Sequence, residues 1–271
     1  MRGWLALQRA GKMERFAGLG VIVELSVEIL LLLLLAAFVA GFVDTLAGGG
    51  GLITIPALLL AGVPPLQALA TNKLQSVFGV LTASVTLWRK GWLDWRSMQG
   101  LFWLAFVGSG LGTLTVQQVN PQALDWVVPI VLAAIAFYYL LSPTAGDLET
   151  QPRISDRLYR RVVVPLIGAY DGMFGPGTGS FFATSAVALR GLDLVKATVQ
   201  AKLLNFATNL AAVIFFALGG HMLWLIGLVM LCGQALGAWL GAQVVLRGGS
   251  RLIRPLLVVV CLLMLLRYLF S

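Results

Sequence analysis

The chain has 271 residues, 59% of them hydrophobic and 11% charged, with a formal net charge of +8. A soluble domain carries about 25% charged and roughly 45–50% apolar residues, and this chain has too little polar surface to cover such a fold. An ordinary soluble enzyme, a nucleic-acid-binding domain and a disordered chain are therefore excluded, and a multi-pass helical membrane protein remains. A β-barrel would alternate polar and apolar residues in runs of about 10, whereas the apolar runs here are long and continuous.

In chain order, residues 1–22 are basic (Arg2, Arg9, Lys12, Arg15) and read as an N-terminal extension. A cleaved signal peptide with Leu30–Leu35 as its apolar core is not expected, because cleavage near Ala40 would remove a helix that the second half retains. Apolar segments follow at 23–43, 50–63, 68–88, 97–118 and 125–142. A polar linker with Pro143, Asp147, Glu149 and Pro152 occupies 143–161. Further segments lie at 162–174, 178–190, 197–218, 222–246 and 255–270. The membrane parts are thus 23–142 and 162–271, joined by the linker.

A spanning helix needs about 20 residues. Gly51–Val63 and Ser180–Leu192 fall short of that, and each follows a glycine-rich stretch. Short, glycine-interrupted segments in matching places are the sequence sign of broken transporter helices. The stretch Gly41-Phe42-Val43-Asp44 is similar to Gly168-Ala169-Tyr170-Asp171, at an offset of 127 positions. Beyond a two-residue shift the offset becomes 129, pairing Lys73 with Lys202, Gly91 with Gly220 and Trp95 with Trp224. Ordered matches at Asp, Lys, Trp and Gly indicate a duplication.

Charge orients the two copies. Arg89, Lys90 and Arg96 mark one loop of the first half, and its counterpart near 219–222 has no Lys or Arg. Arg247, Arg251 and Arg254 mark a different loop in the second half, with no Lys or Arg at 119–124. The linker and the loop carrying Arg190 and Lys196 complete a set of 12 of the 19 basic residues. Basic loops face the cytoplasm, so equivalent loops face opposite sides. The expected fold is all-α, with two inverted repeats of about five membrane segments each and both chain ends external.

Charge inside a membrane costs at least about 2.5–3.5 kcal/mol on insertion scales. Lys73 and Lys202 sit early in long apolar helices, at equivalent places in the repeat, with Thr71, Asn72, Gln75 and Asn205 nearby. Two helix N-termini at the glycine breaks would add backbone N–H donors and partial positive charge. The candidate anion site therefore comprises Lys73, Lys202, Thr71, Asn72, Gln75 and Asn205. From the breaks it takes Gly50, Gly51, Gly177, Thr178 and Ser180. Snorkelling of both lysines to the headgroups is the plainer alternative. Asp44 and Asp171 each precede a break, as helix caps, partners of the lysines or proton-coupling carboxylates.

Other chemistry has little support. The two cysteines, Cys232 and Cys261, read as small buried apolar residues, and the single histidine, His221, falls in a loop. No catalytic residues, metal ligands or cofactor are expected. Gly108 and Gly112, and Gly233, Gly237 and Gly241, recur every four residues and read as helix-packing positions.

The stretches GFVDTLAGGGGLITIPALL from Gly41, ALATNKLQ from Ala68, YDGMFGPGTGSF from Tyr170 and KATVQAKLLN from Lys196 resemble the sulfite exporter TauE/SafE family of membrane transporters. The resemblance spans about 23–270 and leaves residues 1–22 outside. It implies a permease with inverted repeats that moves sulfite, sulfonates or related organosulfur anions, generally outward. The partners expected are a small anion and the lipid bilayer, with a homodimer left open. The expected location is the cell membrane, that is, the bacterial inner membrane. A non-transporting membrane assembly or sensor protein is the alternative.

Overall fold

Ser26 opens the first helix by accepting a hydrogen bond from the Ile29 amide at 3.3 Å. Residues 26–118 and 148–269 are described in the computed structural model of the chain. The basic extension at 1–22 and the expected segment at 125–142 lie outside them. Among the described residues every regular element is helical.

Helix α1 (Val27–Ala47) ends at Gly48, whose left-handed backbone (φ 74°) turns the chain. Three residues later α2 (Gly51–Leu60) begins; it is 10 residues long and contains Pro56. Pro65 starts α3 (Pro65–Arg89), where its missing N–H and fixed φ suit a first helical position. Asp94 caps α4 (Trp95–Val116) by accepting from the Arg96 and Ser97 amides.

After the linker come α5 (Asp156–Leu158), a π-helical turn at Tyr159–Val163, and α6 (Val164–Met173). This helical run begins at Ser155, whose side chain accepts from the Leu158 amide. The last residues read as linker are therefore helical. Gly175 and Gly177 follow with φ of 93° and 81°, and α7 (Thr178–Arg190) starts from them. Asp193 caps α8 (Leu194–Leu218).

The last element, α9, runs unbroken from Trp224 to Leu269 with Pro255 inside it. Two segments, at 222–246 and 255–270, were expected from the glycines and arginines between them. Those residues continue the helix instead, since glycine weakens a helix without ending it and arginine is a good helix former. At 1.5 Å per residue this run measures about 69 Å, more than twice the roughly 30 Å hydrocarbon core. Among the described residues four helical stretches are long and apolar enough to cross a membrane: Val27–Ala47, Trp95–Val116, Leu194–Leu218 and Trp224–Arg247. Helix α3 is as long as α8, at 25 residues. Its Thr71, Asn72, Lys73 and Gln75 make it more polar.

Glycines set the closest helix contacts. A Cβ added at Gly108 or Gly112 of α4 would strike the Pro165 or Ala169 carbonyl of α6. Gly168 and Gly172 of α6 meet the Ala105 and Ser109 carbonyls of α4 in return. The same relation joins α9 to α1: Gly233 and Gly237 lie against the Leu34 and Phe38 carbonyls, and Gly41 against that of Gln234. Small residues at such faces let backbones touch, which in lipid supplies the packing that hydrophobic burial supplies in water. The outer surface is apolar, with Leu60 90% exposed. Cys232 is also exposed and free. It was expected to be buried; its helix turns that position outward, where an apolar medium tolerates it equally well.

The basic loops gather at one end. Lys90 donates to Gln243 of α9, four residues before Arg247. Arg160 reaches Gly100 near the start of α4 and pairs with Asp156, which also holds Arg190 at 3.4 Å. Lys196 pairs with Glu149 at 2.9 Å.

Gly237→Val is expected to cost at least about 1–3 kcal/mol, the usual penalty of overpacking, because its side chain would drive α9 off the Phe38 carbonyl. Gly100→Ala meets only the movable end of Arg160 and should be tolerated. Thermal unfolding of both variants in detergent checks this; equal melting temperatures would refute it.

Candidate functional site

Two breaks and two lysine helices meet at the centre of the molecule. Gly48, ending α1, lies directly on the backbone of Gly179 and Ser180 at the start of α7, with no room for a Cβ on either Gly48 or Gly179. The Ser180 hydroxyl donates to the Ala47 carbonyl, one of the orphan acceptors at the end of α1. Gly51 faces Pro176 of the other break and Asn72 of α3. The break of each half is therefore packed on the break of the other.

Lys73 and Lys202 are each 1% exposed, which excludes snorkelling for both. Their partners are crossed between the halves. The Lys73 ammonium donates to Asp171 Oδ1 at 2.7 Å. The Lys202 ammonium donates to the Asp44 carbonyl and lies 3.5 Å from Asp44 Oδ2. Each aspartate also holds its own break. Asp44 Oδ1 accepts from the Gly50 amide at 3.2 Å, and Asp171 Oδ1 accepts from the Thr178 hydroxyl at 2.7 Å. Of the roles read from the sequence, lysine pairing is the one these contacts display; neither short helix has a side-chain cap at its N-terminus.

The two pairs differ in strength. Lys73–Asp171 is a short, direct ion pair between two buried groups. Lys202 relies on a main-chain carbonyl, with the Asp44 carboxylate at the edge of hydrogen-bond distance. A charge held by a neutral carbonyl is less completely balanced than one held by a carboxylate. Lys202 is accordingly the ammonium whose charge is less matched. Asp171 keeps a second carboxylate oxygen, Oδ2, buried without a hydrogen-bond partner among the described residues, and so does Gln75 with Oε1.

The remaining candidates fall in different places. Asn72 Oδ1 accepts from Thr54 of α2 at 2.5 Å and from Gln75 at 2.9 Å, so Asn72 and Gln75 belong beside the α2 break. Thr178 and Ser180 line the contact between breaks. The Gly177 backbone turns into α7, and Gly50 donates to Asp44 as noted. Thr71 points elsewhere; its hydroxyl accepts from the Leu223 amide at 3.4 Å, at the entry to α9. Asn205 is turned along its own helix, where Asn209 donates to its carboxamide oxygen at 2.8 Å.

Sequence reasoning passed over Thr54 and Tyr170. Thr54 is the only hydroxyl in the apolar helix α2, which was a usable signal. The Tyr170 hydroxyl donates to the Pro176 carbonyl at 2.6 Å, bracing the second break, and its neighbour Asp171 drew the attention instead. Among the described residues no cluster of His, Cys, Asp or Glu is arranged to hold a metal ion.

Apolar crossing helices, two glycine breaks packed on each other and a cluster of buried charge mark a multi-pass membrane protein of the transporter class. The family model described as sulfite exporter TauE/SafE matches residues 33–268, and the chain belongs to that family. It is 44% identical over 241 residues to a "probable membrane transporter protein" of Haemophilus influenzae, covering 89% of this chain and 94% of that relative. A "probable membrane transporter protein ORF9" of a Sinorhizobium species is 43% identical over 246 residues, covering 91% and 94%. The "probable membrane transporter protein YfcA" of Escherichia coli K12 is 42% identical over 252 residues, covering 93% of each chain. No solved structure matches the chain. The protein is a membrane transporter of this family and not an enzyme.

Removing one member of a buried ion pair strands the other at a cost of about 3–5 kcal/mol, whereas removing both is far milder. Lys73→Met and Asp171→Asn should each destabilise the protein, and the double variant should recover most of the loss. A double-mutant cycle on thermal unfolding reads this directly; additive losses would contradict the pairing.

Proposed function

We propose that the protein is a secondary transporter for small anions, of the sulfite, sulfonate or related organosulfur class, working in the export direction across the bacterial inner membrane. The observation that carries the reading is the crossed pairing of Lys73 with Asp171 and Lys202 with Asp44 where the two glycine breaks touch. Buried ionisable groups inside a membrane protein mark substrate paths by default. Half-helix N-termini are anion-binding ends.

The family contributes the sulfur chemistry, and the lysines contribute the charge. An entering oxyanion replaces a protein acceptor on an ammonium group, so the site opens by exchange of partners and does not leave a bare cation. Lys202, with the weaker carboxylate contact, is the first to exchange. At Lys73 the anion displaces Asp171, and a buried carboxylate that loses its cation needs another positive charge. A proton supplies it, which couples anion movement to the proton gradient.

The two halves are read as inverted repeats of about five segments each, covering 23–142 and 162–271. Helix order supports this. Each half has a helical run ending at a glycine break (Val27–Ala47 and Asp156–Met173), a shorter helix of 10 or 13 residues and a 25-residue lysine helix. The gathering of Arg89, Lys90, Arg160, Arg190 and Lys196 at one end gives that end to the cytoplasm under the positive-inside rule.

In proteoliposomes, Lys73→Ala and Lys202→Ala should each reduce sulfite flux to background while still eluting as folded protein. Wild-type flux in both would refute the lysine site. A thermal-shift panel of sulfite, thiosulfate, sulfoacetate, taurine, sulfate and phosphonates ranks the substrates; stabilisation by cations alone would overturn the anion reading. Asp171→Asn should abolish the response of flux to an imposed pH gradient, and an unchanged response would remove Asp171 from coupling.

A further inference from the structure

The C-terminal end of α3 carries a feature that the lysine cluster does not use. Two cavities adjoin there and share Leu81 and Val85 as common wall. The inner one, about 250 Å³, is lined by α3, by Trp95 of α4 and by Leu203 and Phe206 of α8. The outer one, about 420 Å³, is lined by Thr82, Thr86 and Arg89 of α3, by Lys90 just beyond its end and by Trp239 of α9. An apolar chamber thus adjoins a chamber with two cations and, among the described residues, no carboxylate in its wall.

Among the described residues Arg89 and Lys90 form no ion pair. Lys90 donates to the neutral Gln243, which ties α3 to α9 across the outer chamber. Both cations are exposed. Trp88, Trp95 and Trp239, which line the chambers, are between 44% and 59% exposed. Tryptophan at the surface of a membrane protein marks the headgroup level, so the cations stand where lipid phosphates lie.

We propose that the paired chambers bind one anionic phospholipid, with an acyl chain in the inner chamber and its phosphate between Arg89 and Lys90. Charge complementarity selects the occupant. Basic pockets between membrane helices take anionic headgroups, whereas a zwitterionic lipid would bring an ammonium group beside two unpaired cations. Arg89 is sixteen positions beyond Lys73 on α3, about 24 Å along the axis, so the phosphate site is separate from that lysine. The acyl chain lies against Leu203, the neighbour of Lys202 on α8, and so bears on a helix of the transport site.

Native mass spectrometry of the delipidated, full-length protein tests this, with dioleoyl phosphatidylglycerol and dioleoyl phosphatidylcholine as probes. At equal concentration the anionic lipid should occupy the protein at least about fivefold more than the zwitterionic one, as expected for two added charge contacts. Arg89→Ala/Lys90→Ala should lose that preference with an unchanged melting temperature. Val85→Trp, which fills the shared wall, should lower binding of both lipids. Equal occupancy by the two lipids, or an undiminished preference in the double variant, would overturn the proposal. So would a dimer of the chain that excludes lipid from these chambers. If the double variant does not fold, Val85→Trp decides alone, and full phosphatidylglycerol binding by it would overturn the site.

Discussion

Two ammonium groups buried in an apolar molecule constrain everything around them. Each needs a negative partner, and the partner needs donors of its own, because a half-satisfied charge network in low dielectric is worse than none. Asp44 and Asp171 meet both demands. Each places an oxygen on the lysine of the opposite half and a carboxylate oxygen on the break of its own half. Neither half can complete its charge balance alone. The halves are held in register by electrostatics as well as by packing.

The glycines make that arrangement reachable. A carboxylate at the end of α1 can lie near a lysine of α8 only if the two breaks touch, and Gly48 on Gly179 is a contact without side chains between. Around this centre, α1 is packed on α9 and α4 on α6 through glycine-to-carbonyl contacts. Those pairs are stiff, because close backbone contact leaves no slack. The breaks between them are the joints where charges sit and chain direction changes. A transporter needs this division between bodies that stay rigid and a centre whose bonds can be exchanged.

The same economy of charge operates at the surface. Apolar side chains face outward, and among the described loops the basic residues gather at one end, where Glu149 and Asp156 neutralise part of them. Among the described residues Arg89 and Lys90 are left without such partners. Their unmatched charge stands beside an apolar chamber, a combination suited to a lipid and to little else at a membrane interface.

Much of this was legible in one dimension. Membrane residence followed from composition, since no fold hides so many apolar residues in water. The short helices followed from glycine runs, and Lys73, Lys202, Asp44 and Asp171 stood out by their matched positions in the two halves. Local chemistry also sets where four of the described helices start, through the caps at Ser26, Asp94, Ser155 and Asp193. The partner choice was not legible, because a repeat says which residues are equivalent and not which ones touch. Only tertiary packing crossed the pairs, drew Asn72 toward Thr54 of α2, and turned Thr71 and Asn205 away from the lysines. It also carried α9 through its glycines and Pro255, where sequence signals suggested a loop. Signals near in the chain are local and can be read from it, whereas the pairing of buried charges depends on which helices approach, and that is decided in three dimensions.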